Sequence, residues 1–196
     1  MENSKEILKP ESLIEPLTSE ERGEFDALVE TIQSASYSVF METTKNISKC
    51  KWQIVEKFGE RAVPYLIDAA SKTHTLKLDM HRFLITLVTE KTASLVLRCV
   101  QEGKLSIYDG ASAAAQGKEK TALGLAELLV NLRLSNSNIR SDHIELLEAL
   151  SVAGVDETAP YIVKFYENLR QDKWYAKEVK NWLKEKGVDL YGEDAG

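Results

Sequence analysis

Ala62-Val63-Pro64-Tyr65-Leu66-Ile67 returns as Thr158-Ala159-Pro160-Tyr161-Ile162-Val163, with weaker echoes in Thr92-Ala93-Ser94-Leu95-Val96-Leu97 and Thr121-Ala122-Leu123-Gly124-Leu125-Ala126. The echoes begin at 62, 92, 121 and 158, in steps of 30, 29 and 37 residues, a length that fits one helix pair. A proline breaks a helix interior but costs little in a first turn, where the backbone N–H groups have no intrahelical acceptor. Pro64 and Pro160 therefore mark helix starts. A second set of helical segments falls between and after the echoes: Leu78 to Thr89, Leu105 to Gln116, Ile139 to Ala153 and Trp174 to Lys186.

Upstream of the first echo, Thr18 and Glu21 form a capping box. Phe25, Leu28, Val29, Ile32, Ser36, Val39 and Phe40 then recur at steps of three and four, which predicts one apolar stripe on a long helix. Ile47, Cys50, Ile54, Val55 and Phe58 make the stripe of a second helix, stopped by Gly59. Glycine is favoured just past a helix end because it accepts the left-handed backbone there. Gly103, Gly117, Gly154 and Gly187 stand at similar stops. No strand periodicity is present. Ten helices in five antiparallel pairs are expected, with residues 1–17 (containing Pro10 and Pro16) as a flexible or loosely docked arm, 18–188 as the helical domain and 189–196 as an acidic tail.

A chain of 196 residues can bury a core without disulfides or metals. Cys50 and Cys99 have no CxxC spacing and read as reduced thiols at the core edge. Met1 to Glu21 is too polar for a signal peptide, and no apolar run approaches the roughly 20 residues of a membrane span, so a cytoplasmic location is expected. Asn46-Ile47-Ser48 matches a glycosylation acceptor by chance in that setting. The net charge of -6 disfavours binding to nucleic acid by phosphate neutralisation. Residues 1–60 hold 7 basic and 12 acidic side chains, 61–117 hold 7 and 5, and 118–196 hold 11 and 14, so the acidity is concentrated at the beginning.

The spacing Gly-x4-Pro-x-Leu at Gly59 to Leu66, followed by helices such as Ile139-Arg140-x3-Ile144-x-Leu146-Leu147-Glu148-Ala149-Leu150-x2-Ala153-Gly154, resembles HEAT repeats of the short, roughly 30-residue type. The likeness spans about 46 to 187 and is similar to the repeats of phycobilisome-lyase-like and related scaffold proteins. It implies an all-α, right-handed α-α superhelix whose stacked pairs share one core, with the second helix of each pair lining a concave side. The chain departs from the pattern between Gly103 and Lys118, where Tyr108-Asp109-Gly110 and Ala113-Ala114-Ala115 predict a short, weakly patterned helix.

Few residues point to chemistry. Gly110-x6-Gly117-Lys118-Glu119 has the wrong spacing for a phosphate-binding loop and Glu119 in place of the magnesium-binding Ser or Thr; helix termination explains Gly117. Metal ligation from one helix needs steps of three or four. His143 with Glu145 fails that, and His143 lines up with Ile139, Leu146, Leu147 and Leu150 as a core-facing, hydrogen-bonded histidine; His81 lies near Asp79 and Arg82. No GxSxG and no supported Cys-His arrangement occurs, and nothing calls for a cofactor or a metal.

Lys173, Lys177, Lys180 and Lys184, beside Trp174 and Trp182, form a basic stripe that reads first as the solvated face of a capping helix and second as a contact surface. Asp79, Arg82 and Thr86 share one face of their helix, as do Asp142, Glu145 and Ala149. Asp79, Arg82, Thr86, Asp142, Glu145, Trp174, Lys177 and Lys180 are thus the candidate partner-binding residues. The expected function is a non-catalytic interaction module or adaptor for another protein, with an acidic inhibitor or immunity-type partner as a variant. The resemblance also implies two alternatives: an alkylbase-glycosylase-like enzyme on DNA, and a bilin lyase or pigment-associated scaffold. A shared fold gives these by analogy only.

Overall fold

The computed structural model describes residues 14–35, 41–72, 74–132, 139–154 and 158–168, together with Lys177, Lys180, Asn181, Lys184 and Glu185. The described residues are all-helical, without a strand. In chain order the helices are α1 (Ser19–Ala35), α2 (Met41–Phe58), α3 (Val63–Lys72), α4 (His74–Leu87), α5 (Ala93–Gln101), α6 (Ile107–Ala114), α7 (Glu119–Asn131), α8 (Ile139–Ala153) and α9 (Ala159–Asn168). Short 3-10 turns at Gly59–Ala62 and Ala115–Gly117 precede α3 and follow α6.

Neighbours in sequence pack as pairs: α1 on α2, α3 on α4, α5 on α6, α7 on α8. Between pairs, α5 meets α7 and α7 meets α9, and α2, α4, α6 and α8 meet in turn, while α1 also reaches α4. The expected partner of α9, over Trp174 to Lys186, is represented by Lys177, Lys180, Asn181, Lys184 and Glu185, all helical and exposed; the rest of it lies outside the described residues, as do 1–13, 36–40, Gly187 and the tail.

The sequence echoes are a burial pattern. Ala62, Val63, Leu66 and Ile67 are buried, and so are Thr92, Ala93, Val96 and Leu97, and Thr121, Ala122, Leu125 and Ala126; Thr158 and Ile162 continue it in α9. Positions one, two, five and six of the first three echoes face inward because they fall within one arc of a helix turning 100° per residue. The threonine opening three of the echoes hydrogen-bonds the end of the preceding unit: Thr92 Oγ1 donates to Thr89 O (3.3 Å), Thr121 Oγ1 to Ala114 O (2.6 Å) and Thr158 Oγ1 to Gly154 O (3.3 Å). Just before each of the first three echoes an acid is followed by a base: Glu60-Arg61, Glu90-Lys91 and Glu119-Lys120. Lys91 Nζ lies 3.4 Å from Glu60 and Lys120 Nζ lies 2.5 Å from Glu90, so an acid two residues ahead of one echo meets the lysine immediately ahead of the next. Such exposed pairs add little stability; their value is in fixing the stagger of successive units.

Segment 14–17 is docked where the sequence predicted an arm. Ile14 and Leu17 are buried, Leu17 N donates to the Tyr65 hydroxyl (3.2 Å), and the Arg61 guanidinium donates to Glu15 O and Pro16 O (3.2 and 3.0 Å). Arg61 also clasps Glu21 in two hydrogen bonds of 2.8 and 2.5 Å. Glu21 closes the expected capping box as well: Thr18 N donates to its carboxylate (2.8 Å) while its own N–H donates to Thr18 Oγ1 (3.2 Å). Arg61 first, and the Thr18 N–H second, hold the Glu21 carboxyl down to about 2, from 4.5. A depressed carboxylate stabilises the fold fully above pH 4.5, and that contribution is lost as pH falls towards 2. The Glu21 carboxyl resonance is therefore expected to titrate near 2, and at higher pH in Arg61→Ala, where the Thr18 N–H still holds it below 4.5; an unchanged midpoint in that variant would remove Arg61 from this role.

The weakly patterned segment turns out to be the middle of the molecule. α6 is only eight residues long and packs against α4, α5 and α8, so it is enclosed on three sides and its buried arc is broad, with Tyr108 left exposed. Gly110, Ala111, Ala113 and Ala114 are buried in it because neighbouring helices approach closely. A Cβ on Gly110 would come 2.3 Å from Val100 Cγ2. Gly110→Ala is expected to lower stability by about 1–2 kcal/mol, the clash outweighing the gain in helix propensity. In a Val100→Ala background the penalty should vanish, measured as a non-additive pair in urea unfolding.

Helix ends follow the expected glycines with one correction. At Gly103 (φ 70°), Gly103 N donates to Val100 O and Lys104 N to Cys99 O, closing α5 with a paired cap. At Gly117 the left-handed residue is its neighbour, Lys118 (φ 50°). Gly117 is needed for space: a Cβ there would lie 2.9 Å from the Ala93 Cβ and 2.5 Å from Thr121 Cγ2.

Candidate functional site

The outward face of the even-numbered helices carries the candidate site. Among the described residues, the large exposed apolar side chains are Trp52 on α2, Ile85 on α4, Tyr108 on α6, Ile144 and Val152 on α8, and Leu123 on α7. All but Leu123 belong to the even helices.

Three contacts show that these exposed stripes adjoin. On α4, His81, Ile85, Arg82 and Thr86 fan across about 140° of the helix, at 100° per residue. On the Thr86 side, a cleft of about 150 Å³ lies between α2 and α4, lined by Lys51, Trp52, Val55, Arg82, Phe83 and Thr86. On the His81 side, the imidazole stacks on Tyr108 of α6 (centroids 4.6 Å apart), and its Nδ1 lies 2.7 Å from Tyr108 O. One turn further along α6, the Ser112 hydroxyl donates to the Glu145 carboxylate of α8. The face therefore runs without a break from α2 to α8.

Its chemistry changes along the way. The cleft has an apolar floor of Phe83, which is 3% exposed, and half-buried Val55. Trp52, 63% exposed, forms one wall. Lys51 Nζ sits 5.9 Å from the Phe83 ring centroid, a cation over an aromatic face, and the Arg82 side chain is exposed beside it. The Thr86 hydroxyl is spent on its own helix, donating to Arg82 O (2.9 Å), so Thr86 offers the cleft little polarity. At the far end Asp142 and Glu145 stand one turn apart on α8. Burial, and secondarily the Glu145 charge, push the Asp142 carboxyl up.

Of the sequence candidates, Arg82 and Thr86 meet in the cleft, and Asp142 and Glu145 form a separate acidic patch beside α6. Asp79 is on α4, but its side chain lies outside the described residues, and so does Trp174. Lys177 and Lys180 are helical and exposed. Ala149, expected on the polar face with Asp142 and Glu145, is 1% exposed and belongs to the core: seven residues on from Asp142 it lies within about 20° of the same side of α8, a flank where Asp142 is itself only half-exposed and neighbouring helices cover the small side chain. Sequence reasoning passed over Lys51, Trp52 and Tyr108. Trp52 carried a usable signal: a large aromatic off the Cys50-Ile54-Phe58 stripe and preceded by Lys49 and Lys51.

His143 is fully buried and packs on Phe165 of α9 at 4.6 Å, as its alignment with leucines predicted. Among the described residues no group of three or more His, Cys, Asp or Glu is placed to hold a metal ion, and no helix is long and apolar enough to cross a membrane. Comparison of the chain with protein-family models, with curated proteins and with solved structures finds no match.

Proposed function

We propose that this chain is a HEAT-like α-solenoid acting as a protein-interaction module, with the exposed face of α2, α4, α6 and α8 as its binding surface. The carrying observation is the segregation of Trp52, Ile85, Tyr108, Ile144 and Val152 onto that face, where His81–Tyr108 and Ser112–Glu145 join the helices into one layer. Contiguous exposed apolar residues rimmed by charge mark interaction sites on otherwise polar surfaces. Stacking of units about 30 residues apart supports the solenoid: threonines opening three of the four units bond to the end of the preceding one, and Glu60–Lys91 and Glu90–Lys120 repeat across successive units. A protein partner suits a chain of net charge -6 better than a polyanion does.

The test is affinity capture from native extract with three baits. Wild type and Leu123→Ala, altered on α7, should retain the same stoichiometric partner, whereas Trp52→Ala/Tyr108→Ala should lose it at unchanged melting temperature. Recovery of that partner by all three baits, or by none, would refute the assignment of this face.

A further inference from the structure

The cleft between α2 and α4 has the dimensions and the charges of a receptor for one bulky apolar side chain set among carboxylates, and we propose that it binds an acidic peptide segment of a partner protein through such an anchor. The inference rests on the interaction-module reading and specifies the partner's chemistry.

Size decides between a peptide and a small metabolite. Small-molecule sites occupy roughly 300–1,000 Å³ and engulf their ligand. This cleft holds about 150 Å³, the space of a single large apolar side chain, and it is partly open to solvent. Its floor of Phe83 and Val55 has no polar atom to orient a compact polar ligand. Trp52 and Arg82 are the residue types that most often dominate binding at protein interfaces, here standing on opposite walls.

Charge decides the character of the flanking residues. α2 carries four lysines (Lys45, Lys49, Lys51 and Lys57) against two glutamates (Glu42 and Glu56), in a chain whose overall balance is -6. Lys57 is engaged by Glu24 of α1, 3.0 Å away, whereas Lys45 and Lys49 are exposed. With Arg82 across the cleft, cations border the apolar floor on both sides, and like-charged flanks on a ligand would be repelled. A peptide carrying carboxylates on either side of its anchor matches that arrangement and gains association rate from it. A nucleic acid matches it less well, since tracking a phosphate backbone takes a longer basic path than two helices of an acidic protein offer.

Fluorescence anisotropy on the full chain tests this with three labelled probes: the peptide EDEFEDE, its anchorless form EDESEDE, and a thymidine oligonucleotide of equal formal charge. EDEFEDE should bind saturably below about 1 mM, at least about tenfold more tightly than EDESEDE. Arg82→Glu and Trp52→Ala should each weaken it at least about tenfold, with Lys51→Glu as a further check on charge, while Leu123→Ala leaves it unchanged. No saturable binding by about 1 mM, equal binding to the variants, or tighter binding of the oligonucleotide would overturn the proposal. The wider interaction face is judged separately: capture of a partner that depends on Tyr108 but tolerates Arg82→Glu would leave that face standing and this cleft without its assigned ligand.

Discussion

Phe25→Ala is expected to destabilise the fold by about 3–5 kcal/mol, the range for emptying a buried aromatic site. Phe25 is fully buried, edge-on to Phe58 at the end of α2 (5.9 Å, 78°) and 6.0 Å from Tyr65 in α3, so three helices lose packing together. The Arg22 guanidinium, 4.5 Å from the Tyr65 centroid, covers the same cluster from outside. The functional consequence is that this cluster sets the position of α2 and hence of Trp52. Urea unfolding should show the full loss in Phe25→Ala, while Trp52→Ala, at an exposed position, stays within about 0.5 kcal/mol of wild type. A loss below about 1.5 kcal/mol for Phe25→Ala would mean that α1 does not share the core of α2 and α3.

His143 should make the molecule acid-sensitive in a defined window. Burial lowers its folded-state value to about 4, from 6.5, so below pH 6.5 the unfolded chain takes up a proton that the folded chain refuses. Stability is therefore full above 6.5 and declines until about 4, where the folded state protonates too. A shift of that size corresponds to about 3 kcal/mol, at about 1.4 kcal/mol per pKa unit. The Glu21 contribution begins to fall only below 4.5, so the loss between 6.5 and 4.5 belongs to His143. Urea midpoints measured across that interval should drop in wild type and stay level in His143→Phe; a parallel drop in both would assign the effect elsewhere. Because α8 carries Asp142 and Glu145, protonating His143 should also disturb the acidic end of the binding face.

Much of the architecture was legible because burial on a helix is periodic. The Phe25-Val29-Ile32 and Cys50-Ile54-Phe58 stripes are buried, Pro64 and Pro160 stand in first turns, and Ile139 to Ala153 is helical over its predicted length. The capping box at Thr18 and Glu21 was legible for the same kind of reason, since its partners lie three residues apart. α6 is a short helix as its sequence predicted; its enclosure by α4, α5 and α8 was not legible, because small residues such as Gly110, Ala111 and Ala114 do not say which helices they meet. Arg82 and Thr86 were singled out on one helix face, yet their meeting with Lys51 and Trp52 joins residues some 30 positions apart, which no local pattern reports.

By itself the sequence determined that the chain is helical, where most of its helices begin and end, and which sides of them avoid water, since each of these depends on residues within a few positions of one another. Only the tertiary structure decided that α6 is enclosed by α4, α5 and α8, that Arg61 pins the incoming chain to the Glu21 cap, and that a cation-bordered cleft opens beside Trp52. Those features arise from how separate helices are placed against each other, and that placement is set by the summed packing of the whole core rather than by any one segment.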